Sequence, residues 1–292
     1  MATVTAPSVG GWRERKRKRE RNTRITAFIA LTLGAIMFAA PFLFMLSISF
    51  KNPAQADKMA VFELPKPFYP ANYGLALAQM NFMLELRNTC VIVFANVVGI
   101  LCASAMVAYG FARLPFPGKN VWFAIMLSTM MLPPFATLLP LYAKFKDIGW
   151  VNTFLPLTVP AYCGSAYMIF LLRQFFMSLP GELEDAARID GCHRFDIFWR
   201  IFLPLSKPAL ITVGIFTFMG SWNNLFGPLV YLRTPNMYTL SVGLAQFNGL
   251  YSTEYGRLMA ASIVIVSPLL LLFFVAQKYF VKGIVLSGLG GR

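Results

Sequence analysis

Charge is what this sequence has least of. Asp, Glu, Lys and Arg make up 13% of its 292 residues, about half the share of an ordinary soluble protein. There is one histidine, His193, and there are four cysteines, Cys90, Cys102, Cys163 and Cys192, with no C-x-x-C spacing among them. That pattern offers neither a metal-ligand set nor a disulfide framework, so the cysteines read as small packing residues. No G-x-x-x-x-G-K-[ST] segment is present, so the chain lacks the loop that cradles nucleotide phosphates. Acids are scarcer than bases, 12 against 26, for a net charge of +14. On a soluble protein so basic a balance would point to nucleic acid.

What is abundant is apolar: 57% of the chain, including 28 phenylalanines, which excludes a disordered chain and is more than a soluble globule can hide. The few charges cluster. They leave six long intervals with none: residues 25–50, 88–112, 120–143, 148–172, 208–232 and 258–277. An apolar helix rising 1.5 Å per residue needs about 20 residues to cross roughly 30 Å of hydrocarbon, and every interval meets that length. The sequence therefore predicts an all-α, polytopic membrane protein with six transmembrane helices. A basic tail at 1–24 precedes a membrane domain at 25–281, and a second tail follows at 282–292. A seventh charge-free interval, 234–253, is rich in Thr, Ser, Asn, Gln, Tyr and Gly and reads as an exposed loop. The first apolar interval is too long for the core of a secretory signal. Pro41 also stands where cleavage after Phe38-Ala39-Ala40 would fall, so the interval reads as a retained anchor.

The excess of Lys and Arg on the cytoplasmic side of membrane proteins sets the orientation. With the N-terminus inside, the inner segments carry 18 basic residues and the outer loops 8; eight of the 18 lie between Arg13 and Arg24. That run is expected to be a solvated, disordered tail that fixes orientation and touches anionic lipid, not a nucleic-acid site. None of the six intervals holds an Asp, Glu, Lys, Arg or His. Ion-coupled carriers, proton pumps and voltage sensors keep such groups at depth, so the absence opposes those classes. Pro41, Pro133, Pro134, Pro140, Pro156, Pro160, Pro228 and Pro268 fall within the spans and can kink helices around a central path. Trp222-Asn223-Asn224 is the densest polar group in any span. Its amides can bond across helices; alternatively they face a hydrated cavity and meet sugar hydroxyls while Trp222 stacks on the ring.

Five of the twelve acids fall in one inner connection, residues 173–207. Pro180-Gly181 makes a turn, and Glu182 to Asp190 reads as a short helix with acids in its first turn, where the helix dipole favours them. Gly191 is placed to end it in the left-handed conformation. Leu183, Ala186, Ala187 and Asp190 recur along one face, small enough to let the helix sink into a groove on another protein. A second amphipathic stretch follows: Phe195, Phe198, Trp199 and Phe202 share a face expected at the membrane interface, and Asp196 and Arg200 form an i,i+4 pair.

The segment ELEDAARIDGCHRFDIFWRIFLPLSKPAL closely resembles the EAA loop of the permease subunits of binding-protein-dependent ABC importers. That pattern is EAA, three residues, Gly, then an apolar stretch ending near LP. PFYPANY, AYGFARLPFPGK, FMGSWNNLFGPLVYL, YTLSVGLAQF, STEYGRLMAAS and QKYFVKGIVLSGLGGR are similar to the sugar-importer, maltose-permease-like branch. The likeness covers residues 25–292. It departs from the pattern at Asp185, where Glu is usual, and at Cys192, where Ala is usual. The resemblance implies the type I ABC-importer permease fold, with the EAA loop at 180–204. It implies that Glu184 to Gly191 form a coupling helix seated in a cleft on a cytoplasmic ATPase. The coupling surface would then comprise Glu182, Leu183, Glu184, Asp185, Ala186, Ala187, Asp190 and Gly191. The C-terminal tail from Lys282 is expected near the ATPase pair.

The resemblance further implies a second, homologous permease, an ATPase dimer holding ATP and Mg²⁺, an extracytoplasmic sugar-binding protein and a carbohydrate substrate. The setting would be a bacterial or archaeal cytoplasmic membrane, with both termini cytoplasmic. The chain itself would hold no cofactor and catalyse no reaction. A stand-alone secondary carrier or channel is the alternative. An integral-membrane enzyme built on His193, Asp190 and Asp196 is a third reading, and the loop motif explains two of these three residues better.

Overall fold

A computed structural model describes residues 9–58, 63–247 and 254–288. Every regular element among them is helical, and no strand occurs among the described residues. The chain divides into two compact units, residues 1–73 with 254–263, and residues 74–253 with 264–292.

In the first unit one helix runs without a break from Val9 to Ser49, 41 residues. The basic run was expected as a disordered tail. Instead, from Val9 onward it is part of this helix, because Arg, Lys and Glu are good helix formers and nothing between Arg13 and Arg24 breaks the pattern; residues 1–8 lie outside the described residues. From Lys18 to Ser49 the helix is long and apolar enough to cross a membrane. Its end is tied back by the PFYPANY segment. Asn72 donates its amide hydrogens to the Ser49 and Lys51 carbonyls at 2.9 and 2.8 Å. Tyr73 shares a 3.0 Å hydrogen bond with the Ser49 hydroxyl, and Phe68 stacks on Phe50 with centroids 4.5 Å apart. These bonds occupy carbonyls that a helix end leaves unpaired.

The second unit is built on the helix Phe82–Arg113. Its main neighbours are the helices Ala166–Ser178 and Lys207–Trp222 and the 3₁₀ turn Val159–Cys163. Small residues on its buried face, Gly99, Ala103, Ser104, Ala105 and Ala108, let these backbones come close. The Tyr162 ring lies where a Cβ on Gly99 would stand, 2.9 Å away. The core runs from Ala105, Ala108 and Tyr109 through Ile169, Leu172 and Phe176 to Ile197, Phe198, Phe202 and Val213.

Four helical stretches are long and apolar enough to span: Lys18–Ser49, Phe82–Arg113, Leu155–Ser178 and Tyr255–Gln277. Two bent pairs bring the number to six if each is one span. The interval 120–143 is such a pair, Lys119–Met131 and Phe135–Asp147, meeting at 96° across Leu132, Pro133 and Pro134. The expected span 148–172 is displaced to Leu155–Ser178. Gly149 and Asn152 are left-handed, with φ of 72° and 63°, so the chain turns there although it carries no charge. Pro156 fits the first turn of that helix, and the 3₁₀ turn at Pro160 and Gly164, with φ 80°, then interrupt it. The interval 208–232 is divided as well: Lys207–Trp222 ends, three residues intervene, and Phe226–Tyr231 begins. Arg194–Leu205 precedes Lys207–Trp222 at 77°.

One further expectation is corrected. Within 234–253, Leu240–Ala245 is a helix whose Leu240, Val242 and Gly243 are buried, so that part is core and not exposed loop; residues 248–253 lie outside the described residues. The tail from Lys282 continues the helix Tyr255–Gly288, and residues 289–292 lie outside the described ones. The spans also hold a carboxylate. Helix Phe82–Arg113 starts ahead of the charge-free interval and includes Glu85, which is buried against Gly243 with Oε2 unpartnered among the described residues.

Candidate functional site

The acid-rich segment folds as its composition requires. Helix Glu182–Ile189 starts with Glu182, Glu184 and Asp185 in its first turn. It ends in a paired cap: Cys192 N–H donates to the Ala187 carbonyl at 2.9 Å, and Gly191 N–H to the Arg188 carbonyl at 3.0 Å. Gly191 has φ 78°, the left-handed state this cap needs and β-carbons oppose. No atom would touch a Cβ built there, so the glycine answers a backbone requirement alone.

Which face points where differs from the expectation. Ala187 is packed into the core, and Glu184, only 7% exposed, lies on the same inner side. Glu184 accepts a 2.6 Å hydrogen bond from Arg188, an i,i+4 ion pair. These two therefore belong to the helix's own seat and not to a surface free for docking. Glu182, Leu183, Asp185, Ala186 and Asp190 are exposed. So is Ile189, at 87%, which the sequence reading left out. Its position in the period would have marked it: once Glu184 and Ala187 face inward, Ile189 lies opposite.

The amphipathic stretch after Gly191 also divides. Residues 198–202 form a π turn. Phe198 and Phe202 are buried around Tyr109, with centroids 5.1 and 5.2 Å from its ring. Phe195 and Trp199 stay outside and stack on each other at 6.3 Å. The expected single interfacial face is thus two pairs, one in the core and one outward. Asp196 and Arg200 pair at 3.4 Å, as the spacing predicts.

The root of the segment is held by two residues of the AYGFARLPFPGK motif, Tyr109 and Arg113. Arg113, at the end of the Phe82–Arg113 helix, donates to the Phe176 and Leu179 carbonyls at 2.6 and 2.5 Å. Both lie at the C-terminal end of Ala166–Ser178, where the Phe176 carbonyl also takes the Leu179 N–H at 3.4 Å and a cation suits the helix dipole. Its guanidinium lies 4.9 Å from the Phe202 ring centre. One turn earlier, the Tyr109 hydroxyl approaches the Arg194 carbonyl at 3.4 Å.

The second candidate group, Trp222-Asn223-Asn224, occupies the break between two helices. Trp222 is 4% exposed, stacks on Phe218 with centroids 5.3 Å apart, and donates its indole N–H to the Ile265 carbonyl at 3.1 Å. Its ring is a packing element here and offers no free face to a sugar. Asn223 and Asn224 are exposed and bond locally: Asn223 Nδ2 donates to the Met219 carbonyl at 3.0 Å, and Asn224 Oδ1 accepts from Gly227 N–H at 3.1 Å. Neither amide bonds across helices. That role falls to Asn96, whose Nδ2 donates to the Ser221 hydroxyl at 3.2 Å. At the far end of the same helix, Asn88 donates to the Asn236 and Tyr238 carbonyls, each at 2.9 Å. Thr89 Oγ1 accepts from Leu240 N–H at 3.0 Å. Beside Asn88 is a cavity of about 570 Å³, lined by Leu84, Arg87, Phe154 and Asn236 among others. No group of His, Cys, Asp and Glu among the described residues has a metal-binding arrangement.

Four to six candidate spans and a short, capped surface helix packed against one of them define a helical membrane protein. The comparisons specify which. Residues 95–285 match the family of binding-protein-dependent transport system inner membrane components, and the chain belongs to that family. It is similar to the probable ABC transporter permease protein YurM of Bacillus subtilis, 35% identical over 92% of this chain and 89% of the relative. It is also similar to the arabinooligosaccharides transport system permease protein AraQ of Halalkalibacterium halodurans, 38% identical over 70% of this chain and 73% of that one. A bacterial ABC transporter involved in import of the acidic polysaccharide alginate has a chain of the same fold, with a TM-score of 0.78 at 24% identity, covering 95% of this chain and all of that one. The chain is therefore a multi-pass membrane permease subunit and not an enzyme.

Proposed function

We propose that this chain is one transmembrane subunit of an ATP-driven carbohydrate importer and forms half of the translocation path with a second, homologous permease. ATP and Mg²⁺ are bound by a separate cytoplasmic ATPase dimer, and an extracytoplasmic binding protein delivers the sugar. Closure of the ATPase moves the Glu182–Ile189 helix, and the bundle then reorients to release sugar inward. Both termini lie in the cytoplasm.

The observation that carries this reading is the exposed face of that helix, Glu182, Leu183, Asp185, Ala186, Ile189 and Asp190. It is an acidic, partly apolar surface on a helix whose C-terminal end is closed by the Gly191 cap. Carbohydrate as the cargo is supported by what AraQ is named for and by the alginate transporter's title. The exposed amides of Asn223 and Asn224 at a helix break are suited to hydroxyl recognition.

Gly191→Val tests the coupling role. Because φ 78° is costly for a β-branched residue and the space around the site is open, the variant should remain in the membrane and lose ATP-driven uptake. Normal uptake would overturn the role. Sugar transport by the purified chain in vesicles without an ATPase would overturn the subunit reading altogether. Ligand stabilisation of the cognate binding protein across a sugar panel tests the cargo; no response to any sugar would remove carbohydrate from the reading.

A further inference from the structure

We propose that Tyr109 and Arg113 are positioning residues that clamp both ends of the coupling segment to one span, so that helix Phe82–Arg113 carries its displacement to the opposite end of the bundle. The proposal rests on the coupling reading above. It concerns how a push is transmitted once received, which the family match does not specify.

The two residues are one helical turn apart, and they hold the segment where it enters and where it leaves. At the entrance, Arg113 takes the Phe176 and Leu179 carbonyls, three residues before the helix begins at Glu182. At the exit, the Tyr109 hydroxyl meets the Arg194 carbonyl, three residues after Gly191. Between them the Tyr109 ring touches aromatic rings from both flanks: Phe176 before the segment, at 6.3 Å, and Phe198 and Phe202 after it, at 5.1 and 5.2 Å. Arg113 covers Phe202. Ala187 on the segment's inner face belongs to the same buried cluster. A displacement of the Glu182–Ile189 helix therefore reaches Tyr109 and Arg113 through close-packed, low-compressibility contacts.

The far end of the same helix is attached as firmly. Asn88 and Thr89 hold the 236–240 segment by three hydrogen bonds, and Asn96 holds Ser221 beside the Trp222 break. Between the two attachments, residues 89–109 are continuous helix without proline. At 1.5 Å per residue that is a rod of about 30 Å. Tilting it moves the 236–240 segment and the edge of the Asn223-Asn224 break together.

The test uses the complete importer, with both permeases, the ATPase and the binding protein, in proteoliposomes. ATP hydrolysed and sugar imported are measured on the same preparation. Arg113→Met removes both carbonyl bonds and keeps an unbranched, flexible apolar stem. It should leave ATP hydrolysis within about twofold of the unmodified complex and lower sugar imported per ATP by fivefold or more. Arg113→Lys, which restores a donor, should recover part of that ratio. A merely structural role would lower hydrolysis and import together and leave the ratio unchanged, and that result would overturn the proposal. Should Arg113→Met fail to assemble, Tyr109→Phe decides, since it keeps the ring and loses only the hydroxyl: a lowered ratio supports the clamp and an unchanged ratio overturns it. Gly191→Val, run in parallel, separates the two levels. If it loses uptake while Arg113→Met keeps its ratio, the coupling reading stands and the clamp falls. If it keeps normal uptake, the coupling reading itself has failed.

Discussion

Single residues decide whether the break at 222–224 is a binding surface or a joint. Trp222 uses its only polar hydrogen on the Ile265 carbonyl and its ring on Phe218. Trp222→Phe should therefore cost about 1–3 kcal/mol of stability through the lost buried bond and volume, seen as a lower Tm of the solubilised protein, with the order of preference among sugars unchanged. A changed preference would put the ring in the path. Asn223→Ala should raise the transport KM if the exposed amide meets sugar, because its one bond here is to its own helix. Asn224→Ala is less clean, since Asn224 also satisfies an orphan donor at the start of Phe226–Tyr231. At this scale the sequence was legible where backbone geometry dictates the residue. Gly191 was readable because few other residues accept φ 78° at a helix end. The inward turn of Glu184 was not readable. A carboxylate is expected outside, and only the neighbouring Arg188 and the packing of Ala187 reveal that it faces in.

Helices were legible in number more than in continuity. A charge-free interval reports that a stretch tolerates hydrocarbon, but says nothing of where its backbone turns. The span expected at 148–172 begins at Leu155 because Gly149 and Asn152 are left-handed, and 208–232 breaks where Trp222-Asn223-Asn224 stops the helix. The motifs that resemble the permease family fall mainly at such joints. PFYPANY closes the end of the first helix, AYGFARLPFPGK supplies Tyr109 and Arg113, and FMGSWNNLFGPLVYL contains the break. Residue spacing within a motif shows that a joint exists; its hydrogen-bond partners lie as far off as Arg113 from Leu179 or Leu240 from Thr89, which no local pattern reveals. The short helix Glu182–Ile189 gives a prediction at this scale. Ala187→Leu pushes against the Tyr109 and Phe176 cluster and should cost about 1–3 kcal/mol by overpacking, read as a lower Tm. Ile189→Asp, on the exposed side, should leave the Tm in place and weaken co-purification of the ATPase several-fold. Equal effects of the two on Tm would mean that the helix is seated differently.

Over the whole molecule, the +14 net charge is mostly a matter of side. In the proposed orientation the inner segments hold 18 basic residues against 8 outside, and without the Arg13–Arg24 run the contrast is 10 against 8. Replacing the eight basic residues of that run by Gln should therefore produce a mixture of orientations, detected by labelling single cysteines placed near each end from either side of sealed vesicles. A uniform orientation would shift the determinant to the later loops. The run also does more than carry charge. From Val9 it is one unbroken helix with the apolar segment that follows, so about 16 helical residues, close to 24 Å, precede Ile25, where the charge-free interval begins. A lever of that length turns small motions into large ones. Were the apolar part to tilt by some 20°, a typical angle for a span, the start of a straight helix of that length would be displaced by about 8 Å.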